Sequence, residues 1–230
     1  MFWAILLAHF LADFPLQPNW MVRAKQKPWV LGLHIATHLV VMALISATIF
    51  SQIWPYLLLV AFIHLGIDIV KNEVWRRRPD LLVGPYIIDQ IFHYLSIALV
   101  AFLIQLNLGD LTIPIARPVL VLATGYLVVT YVWFISERIF AYANRAYRQT
   151  VVDQLWPRMA GRAIWLSIFL WIFSTVIGPL TILTTFQLPL LAMAGVMPSL
   201  PYISGKYASR ALVIDISVAL VVAFLTRLAL

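Results

Sequence analysis

From Trp29 to Phe50 the chain carries no Asp, Glu, Lys or Arg, and apolar stretches of similar character recur along it. Such a run matches the roughly 20 residues a helix needs to cross the roughly 30 Å hydrocarbon core of a bilayer. The runs are continuous rather than alternating, so they specify spanning helices and not the strands of a membrane barrel. Only 11% of residues are charged and 63% are hydrophobic, against roughly 25% and 45–50% in soluble domains. So little polar surface cannot coat a soluble fold. The expected class is all-α: a polytopic transmembrane helix bundle of six or seven helices, the first one short.

The expected segments are Met1 to about Phe14, Trp29 to Phe50, Trp54 to Trp75, Pro85 to Leu108, Ala116 to Ser136, and Ala211 to Leu230. Pro15 disfavours helix at Phe14 and closes the first. Between the last two lies Ala163 to Val196, broken at Gly178-Pro179 and Pro189. It reads as one span plus a re-entrant piece near 178–205, or as two short spans. Residues 1–110 are expected to form a four-helix module and 111–230 to add further helices. No cleavable signal peptide is expected, because the start lacks a basic n-region and His9 and Asp13 interrupt the apolar run. Cysteine is absent, which excludes disulfides and thiolate metal sites.

Basic residues cluster in alternate loops: Arg23, Lys25 and Lys27; Arg76, Arg77 and Arg78; and Arg138, Arg145, Arg148 and Arg158. The loops between, Ser51 to Ile53 and Asn107 to Pro118, are poor in them. The positive-inside bias then puts the N-terminus outside and the three basic loops in the cytoplasm. The net charge of +7 belongs to these loops and to anionic lipid headgroups, so no nucleic-acid partner is expected.

Inside this apolar frame, metal-binding side chains recur four residues apart: His9 and Asp13, His34 and His38, His64 and Asp68, Asp89 and His93. On a helix both members of such a pair share one face. All five histidines of the chain belong to these pairs. The topology, drawn from Lys and Arg alone, puts all four pairs in the cytoplasmic half of the membrane. Ionisable groups at that depth are costly and mark function, although a lone intramembrane His–Asp pair is more often a hydrogen-bonded structural pair. Imidazole nitrogen and carboxylate oxygen suit zinc first, then iron or manganese, as one or two divalent ions. The i, i+4 spacing departs from the Glu-x-x-His pattern of helix-bundle di-metal sites.

Around these eight ligand candidates stand others. Asp13, Asp68 and Asp89 are candidate general bases, and Lys71, three residues after Asp68, is a candidate for charge stabilisation or else a snorkelling anchor. Gln17 and Gln90 could bind substrate or orient a ligand, and Asn19 could cap a helix. Asp153 and Gln154 read as solvated loop residues. Lys206 and Arg210 precede the last helix and could hold a phosphate, if the stretch before them crosses twice. An Arg210–Asp215 pair is the structural alternative there.

The first hundred residues resemble a bacterial integral-membrane family known only as a domain of unknown function. The resemblance rests on His9-Phe-Leu-Ala-Asp13-Phe14 with Gln17, on His34 and His38, on His64-Leu-Gly-Ile-Asp68 with Lys71, and on Asp89-Gln90 with His93. It implies a bacterial inner membrane as the location and no activity. A looser similarity links the chain to inner-membrane proteins described as metal-dependent hydrolases.

The expected function is that of an integral membrane metal-dependent enzyme, a hydrolase or transferase. Its substrate would be a phosphate or ester group of a lipid or lipid-linked molecule at the cytoplasmic leaflet. Membrane lipids are its expected partners, with a homo-oligomer or larger complex open. An ion- or proton-coupled transporter, a di-iron oxidoreductase and an accessory subunit are the alternatives. A transport path would need polar residues through the outer half of the same helices, where segment two offers only Ser46 and Thr48, and segment four offers Ser96 before Gln105.

Overall fold

The computed structural model describes residues 1–177 and 207–230, and among these the regular secondary structure is entirely helical. The helices are α1 (Phe2–Asp13), α2 (Asn19–Ala24), α3 (Pro28–Ile45), α4 (Phe50–Arg77), α5 (Val83–Leu108), α6 (Arg117–Leu127), α7 (Trp133–Phe140), α8 (Arg145–Asp153), α9 (Leu155–Ile177) and α10 (Ala208–Ala229). Five stretches are long and apolar enough to cross a membrane: Pro28–Ile45, Ala47–Arg77, Val83–Leu108, Arg117–Phe140 and Ala208–Ala229. Their outward faces carry large apolar side chains such as Val40, Leu44, Phe62, Leu95, Phe102 and Leu228, all more than half exposed. A water-soluble surface does not bear that much exposed hydrocarbon. The protein is an all-α membrane protein.

The chain divides into two compact units, Met1–Ala116 and Arg117–Leu230. In the first, α1 packs on α3 and α5, α3 packs on α4, and α4 packs on α5, so four helices close into a ring. The short α1 is buried along nearly its whole length. Ile53, Leu57, Val60, Ile97, Val100 and Ile104 fill one end of the ring interior. The His and Asp pairs occupy the other.

In the second unit α6 runs through a π-helical turn, Val128–Val132, into α7, and α9 and α10 pack against it. Leu122, Val129, Leu166, Leu170, Ala219 and Ala223 form one core, and Phe134, Ala141, Tyr147, Val151 and Ala211 a second.

Several boundaries differ from the sequence expectation. The second segment ends at Ile45 rather than Phe50, and a 3₁₀ turn at Ala47–Ile49 leads straight into α4. The Ser46 hydroxyl donates to the Met42 carbonyl at 2.6 Å, a local bond that competes with helix continuation. The loop expected at Ser51–Ile53 is therefore the first turn of α4. Asn19 is the first residue of α2 and not its cap, a place taken by Pro18. The stretch expected to be a basic loop up to Arg158 is instead α8 and the start of α9, eight residues ahead of Ala163. Asn144 caps α8 by accepting from the Tyr147 amide at 3.0 Å. Asp153 is exposed, as a solvated residue should be, whereas Gln154 is half-buried. The re-entrant piece near 178–205 lies outside the described residues.

Candidate metal centre

Four helices of the first unit each contribute one pair. Asp13 closes α1, His34 and His38 face inward from α3, His64 and Asp68 from α4, and Asp89 and His93 from α5. The i, i+4 spacing aligns each pair on the inner face of its helix. His34 is fully buried, and His9, His38, His64 and His93 are at most 2% exposed.

One ligand atom each from Asp13, His34, His38 and His64 lies within 4.8 Å of all the others. His34 Nε2 and His38 Nε2 both stand 3.1 Å from Asp13 Oδ1. His64 Nε2 is 3.2 Å from His34 Nε2 and 3.9 Å from Asp13 Oδ1. A tetrahedral ion with bonds of about 2.0–2.1 Å holds its donor atoms about 3.3–3.4 Å apart. Three of these four separations, 3.1, 3.1 and 3.2 Å, are close to the edge of that tetrahedron, and the one from His64 to Asp13 is longer.

Gln17 holds one member of this set from outside. Oriented so that both its atoms are paired, the Gln17 amide accepts from His34 Nδ1 at 3.0 Å and from Lys25 Nζ at 3.1 Å, and it donates to the Asp13 carbonyl at 3.1 Å. That bond places a proton on His34 Nδ1, and in the neutral ring it leaves a lone pair on Nε2. The lone pair faces Asp13 Oδ1 at 3.1 Å and Asp68 Oδ2 at 3.4 Å. With a neutral ring, a cation among the three atoms relieves their repulsion, and the Lys25 ammonium at 2.7 Å from Asp68 Oδ2 meets part of that need. An outer amide that fixes the tautomer of a ligating histidine is the usual support of a metal ligand.

Lysines flank the cluster. Lys25 Nζ is 2.7 Å from Asp68 Oδ2, and Lys71 Nζ is 2.7 Å from Asp68 Oδ1 and 2.9 Å from Asp89 Oδ1. Lys71 is thus a largely buried bridge between two carboxylates and not a snorkelling anchor. Lys25, which the sequence presented only as a topology charge, is 7% exposed. Its loop is pinned where the Asn72 amide donates to the Lys25 carbonyl at 3.2 Å. Nothing in the local sequence marks Lys25, because the partner that selects it lies on α4.

Gln90 donates to Asp89 Oδ2 at 3.0 Å and accepts from the Tyr94 hydroxyl at 2.9 Å. Both glutamines therefore orient members of the cluster. His9 Nε2 stands 3.4 Å from Asp13 Oδ2, and its ring lies 5.1 Å from that of His93. A second set, His64, Asp68 and His93, also has ligand atoms mutually within 4.8 Å. Beside the loop of Lys25, Trp20 and Trp29 stack at 6.4 Å, 49% and 63% exposed, as aromatic side chains do at a membrane interface.

The second unit holds a polar cluster that the sequence did not single out. Arg158 clamps Asp215 through two bonds, Nε to Oδ2 at 2.9 Å and Nη2 to Oδ1 at 2.7 Å, and also reaches Glu137 Oε1 at 2.8 Å. Arg162 donates to Asp215 at 2.9 Å and to the Val129 carbonyl of the π-turn. Both arginines are 1% exposed. The expected Arg210–Asp215 pair does not form. Arg210 instead lies over the Tyr147 ring at 4.6 Å, because the aspartate, fully buried, is claimed by guanidiniums from α9. Tyr147 donates to Glu137, and its burial, with that carboxylate next, pushes the phenol above its usual range. Lys206 lies outside the described residues.

The family described as "Protein of unknown function (DUF3307)" matches residues 1–117. The match covers half of the chain and every residue of the His/Asp cluster, and the chain belongs to that family. No curated protein and no solved structure matches it.

Proposed function

We propose that the protein is a membrane metalloenzyme whose divalent ion, zinc in the first instance, is held by Asp13, His34, His38 and His64. The observation that carries this reading is the convergence of ligand atoms from these four residues within 4.8 Å of one another. Among them His34 is buried, its Nδ1 is taken by Gln17, and its Nε2 is turned toward two carboxylate oxygens at 3.1 and 3.4 Å. When bound, such an ion polarises a substrate oxygen and acidifies a water.

The chain's own residues supply the rest. Asp68 Oδ2, within 3.4 Å of both His34 Nε2 and His64 Nε2, is the carboxylate placed to take a proton beside the ion. Lys25 and Lys71 hold that carboxylate in position and bring positive charge to where a phosphate or ester oxygen becomes more negative. His34 lies six residues into α3, roughly 9 Å along the helix from its start, and Trp20 and Trp29 mark the interface at the same end. A lipid or lipid-linked substrate at the cytoplasmic leaflet fits that depth, and hydrolysis or group transfer fits the donor set.

Metal analysis of protein purified without chelator tests the assignment. We expect about one zinc-type ion per chain, falling below about a tenth in H38A and H64A. Folded protein that holds no ion and takes none up on dialysis against zinc would sink it.

A further inference from the structure

We propose that the second unit carries a receptor for one anionic phospholipid headgroup, built from Arg138, Arg148 and Arg210 at the rim of an apolar core. It shares no residue with the metal centre and does not depend on it.

Charge points there first. Residues 1–116 carry seven basic and six acidic side chains, whereas residues 117–230 carry nine and three. Nearly all of the net charge of +7 therefore belongs to the second unit. Its three acids are Glu137, Asp153 and Asp215. Arg158 and Arg162 take Asp215, Arg158 also takes Glu137, and the Gln149 amide donates to Asp153 at 2.7 Å. Residues 178–206 contain no Asp or Glu. Among the described residues Arg138, Arg145, Arg148 and Arg210 pair with no carboxylate. The basic stretch after α4 is different, because Arg76 and Arg77 both contact Glu73 and Arg78 contacts Asp80. Positive-inside topology accounts for both stretches alike, so the open arginines of the second unit need another cause.

Three of these arginines are held by aromatic rings. Arg138 lies over the Phe134 ring at 5.5 Å, Arg148 over Tyr142 at 5.7 Å and Arg210 over Tyr147 at 4.6 Å. Phe134 and Tyr147 belong with Val151 and Ala211 to one apolar core, so the guanidiniums stand around one cluster. Arg138 and Arg148 are close enough for their charges to repel. Stacking fixes a guanidinium by its face and leaves its N–H edge free, the edge that matches two phosphate oxygens. Like charges gathered in this way are unfavourable until an anion joins them.

The flanking residues make that anion a lipid's. Arg138 stands near the end of the span Arg117–Phe140, and Arg210 near the start of the span Ala208–Ala229, which is the depth of phospholipid headgroups. Beside them Phe140, Tyr142 and Trp156 are exposed, an apolar flank for the glycerol and upper acyl carbons that a free phosphate has no use for. Between the two spans lies α8, nine residues long, with Tyr147 and Val151 buried and Arg145 and Gln149 exposed. A short helix with that division of faces lies along an interface rather than across it.

Native mass spectrometry of the full chain in detergent tests this, with phosphatidylglycerol and phosphatidylcholine of equal chain length supplied together. We expect one phosphatidylglycerol retained per chain in preference to phosphatidylcholine. An arginine beside an anionic lipid is worth about fivefold in affinity, so R148Q/R210Q should weaken phosphatidylglycerol binding about 25-fold. R76Q/R77Q removes the same charge from arginines that already have a carboxylate and should leave binding unchanged. R148K/R210K serves should the glutamine variant fail to fold. It keeps the charge and loses the stacked fork, and its preference for phosphatidylglycerol should fall. Glycerol phosphate, which has the headgroup charge without acyl chains, should not displace the lipid at millimolar concentration. Equal retention of the two lipids, an R76Q/R77Q loss that matches R148Q/R210Q, an unchanged preference in R148K/R210K, or displacement by glycerol phosphate overturns the proposal.

Discussion

His34 and His64, thirty positions apart on α3 and α4, bring their Nε2 atoms to 3.2 Å. Two imidazoles meet that closely in an apolar interior only when something is shared between them. Here the shared space also contains Asp13 Oδ1. Replacing either histidine removes one corner of the tetrahedron. H34A should lower zinc affinity by at least the 10–100-fold typical of losing a mere supporting contact. Competition against a chromogenic chelator measures it.

Gln17 touches no expected ion, yet it sets the His34 tautomer. Gln17→Leu should weaken metal binding about 10–100-fold while leaving the helical content unchanged. Circular dichroism alongside chelator competition separates these two effects. Unchanged affinity would show that the tautomer is set some other way.

Lys71 neutralises two buried carboxylates at once. Lys71→Met should destabilise the protein by about 3–5 kcal/mol, the cost of leaving a buried charge without its partner. Adding Asp89→Asn should recover part of that loss. Unfolding in mixed detergent, read by tryptophan fluorescence, gives both values and their coupling.

In the second unit, Asp215 accepts from Arg158 and Arg162. Arg158→Met should cost about 1–3 kcal/mol, because it leaves Asp215 with Arg162 alone and Glu137 with the Tyr147 hydroxyl. Lys substitution should rescue little, since a point charge cannot reproduce the two-pronged contact with Asp215. Urea titration in detergent distinguishes the two variants from each other and from the parent chain.

Gly125 on α6 faces Thr226 on α10 so closely that an added Cβ would come within 2.7 Å of the Thr226 hydroxyl oxygen. Gly125→Ala should destabilise by about 1–3 kcal/mol, and Thr226→Ala should relieve it. A double-mutant cycle on thermal unfolding reads the coupling directly.

The four pairs were legible because helical spacing and apolar surroundings are both properties of short windows. His64 and Asp68 announce a shared face without any knowledge of what lies opposite. Lys25 and Arg158 could not be read in that way. Each is a basic residue near the end of an apolar run, the ordinary form of a topology signal, and only carboxylates on distant helices make it a buried partner. The same holds for Asp215, whose neighbour in sequence, Arg210, is drawn instead to the face of Tyr147. The turn after α3 comes earlier than hydropathy indicates, because the Ser46 hydroxyl bonds back to the Met42 carbonyl inside an apolar run that continues to Phe50.

The widened turn at Val128–Val132 has a geometric effect on everything beyond it. Each residue of an α-helix advances the face by about 100°, and a π-turn absorbs an extra residue without breaking the rod. Glu137 thus points to a different side than an unbroken helix from Leu122 would give it, and on that side it meets Arg158. Arg162, bonded to the Val129 carbonyl within the turn, holds the inserted residue in place. Excising one residue from this turn would keep the rod and its greasiness intact while turning the carboxylate away from its guanidinium, so the helix here works as a phase shifter as much as a span.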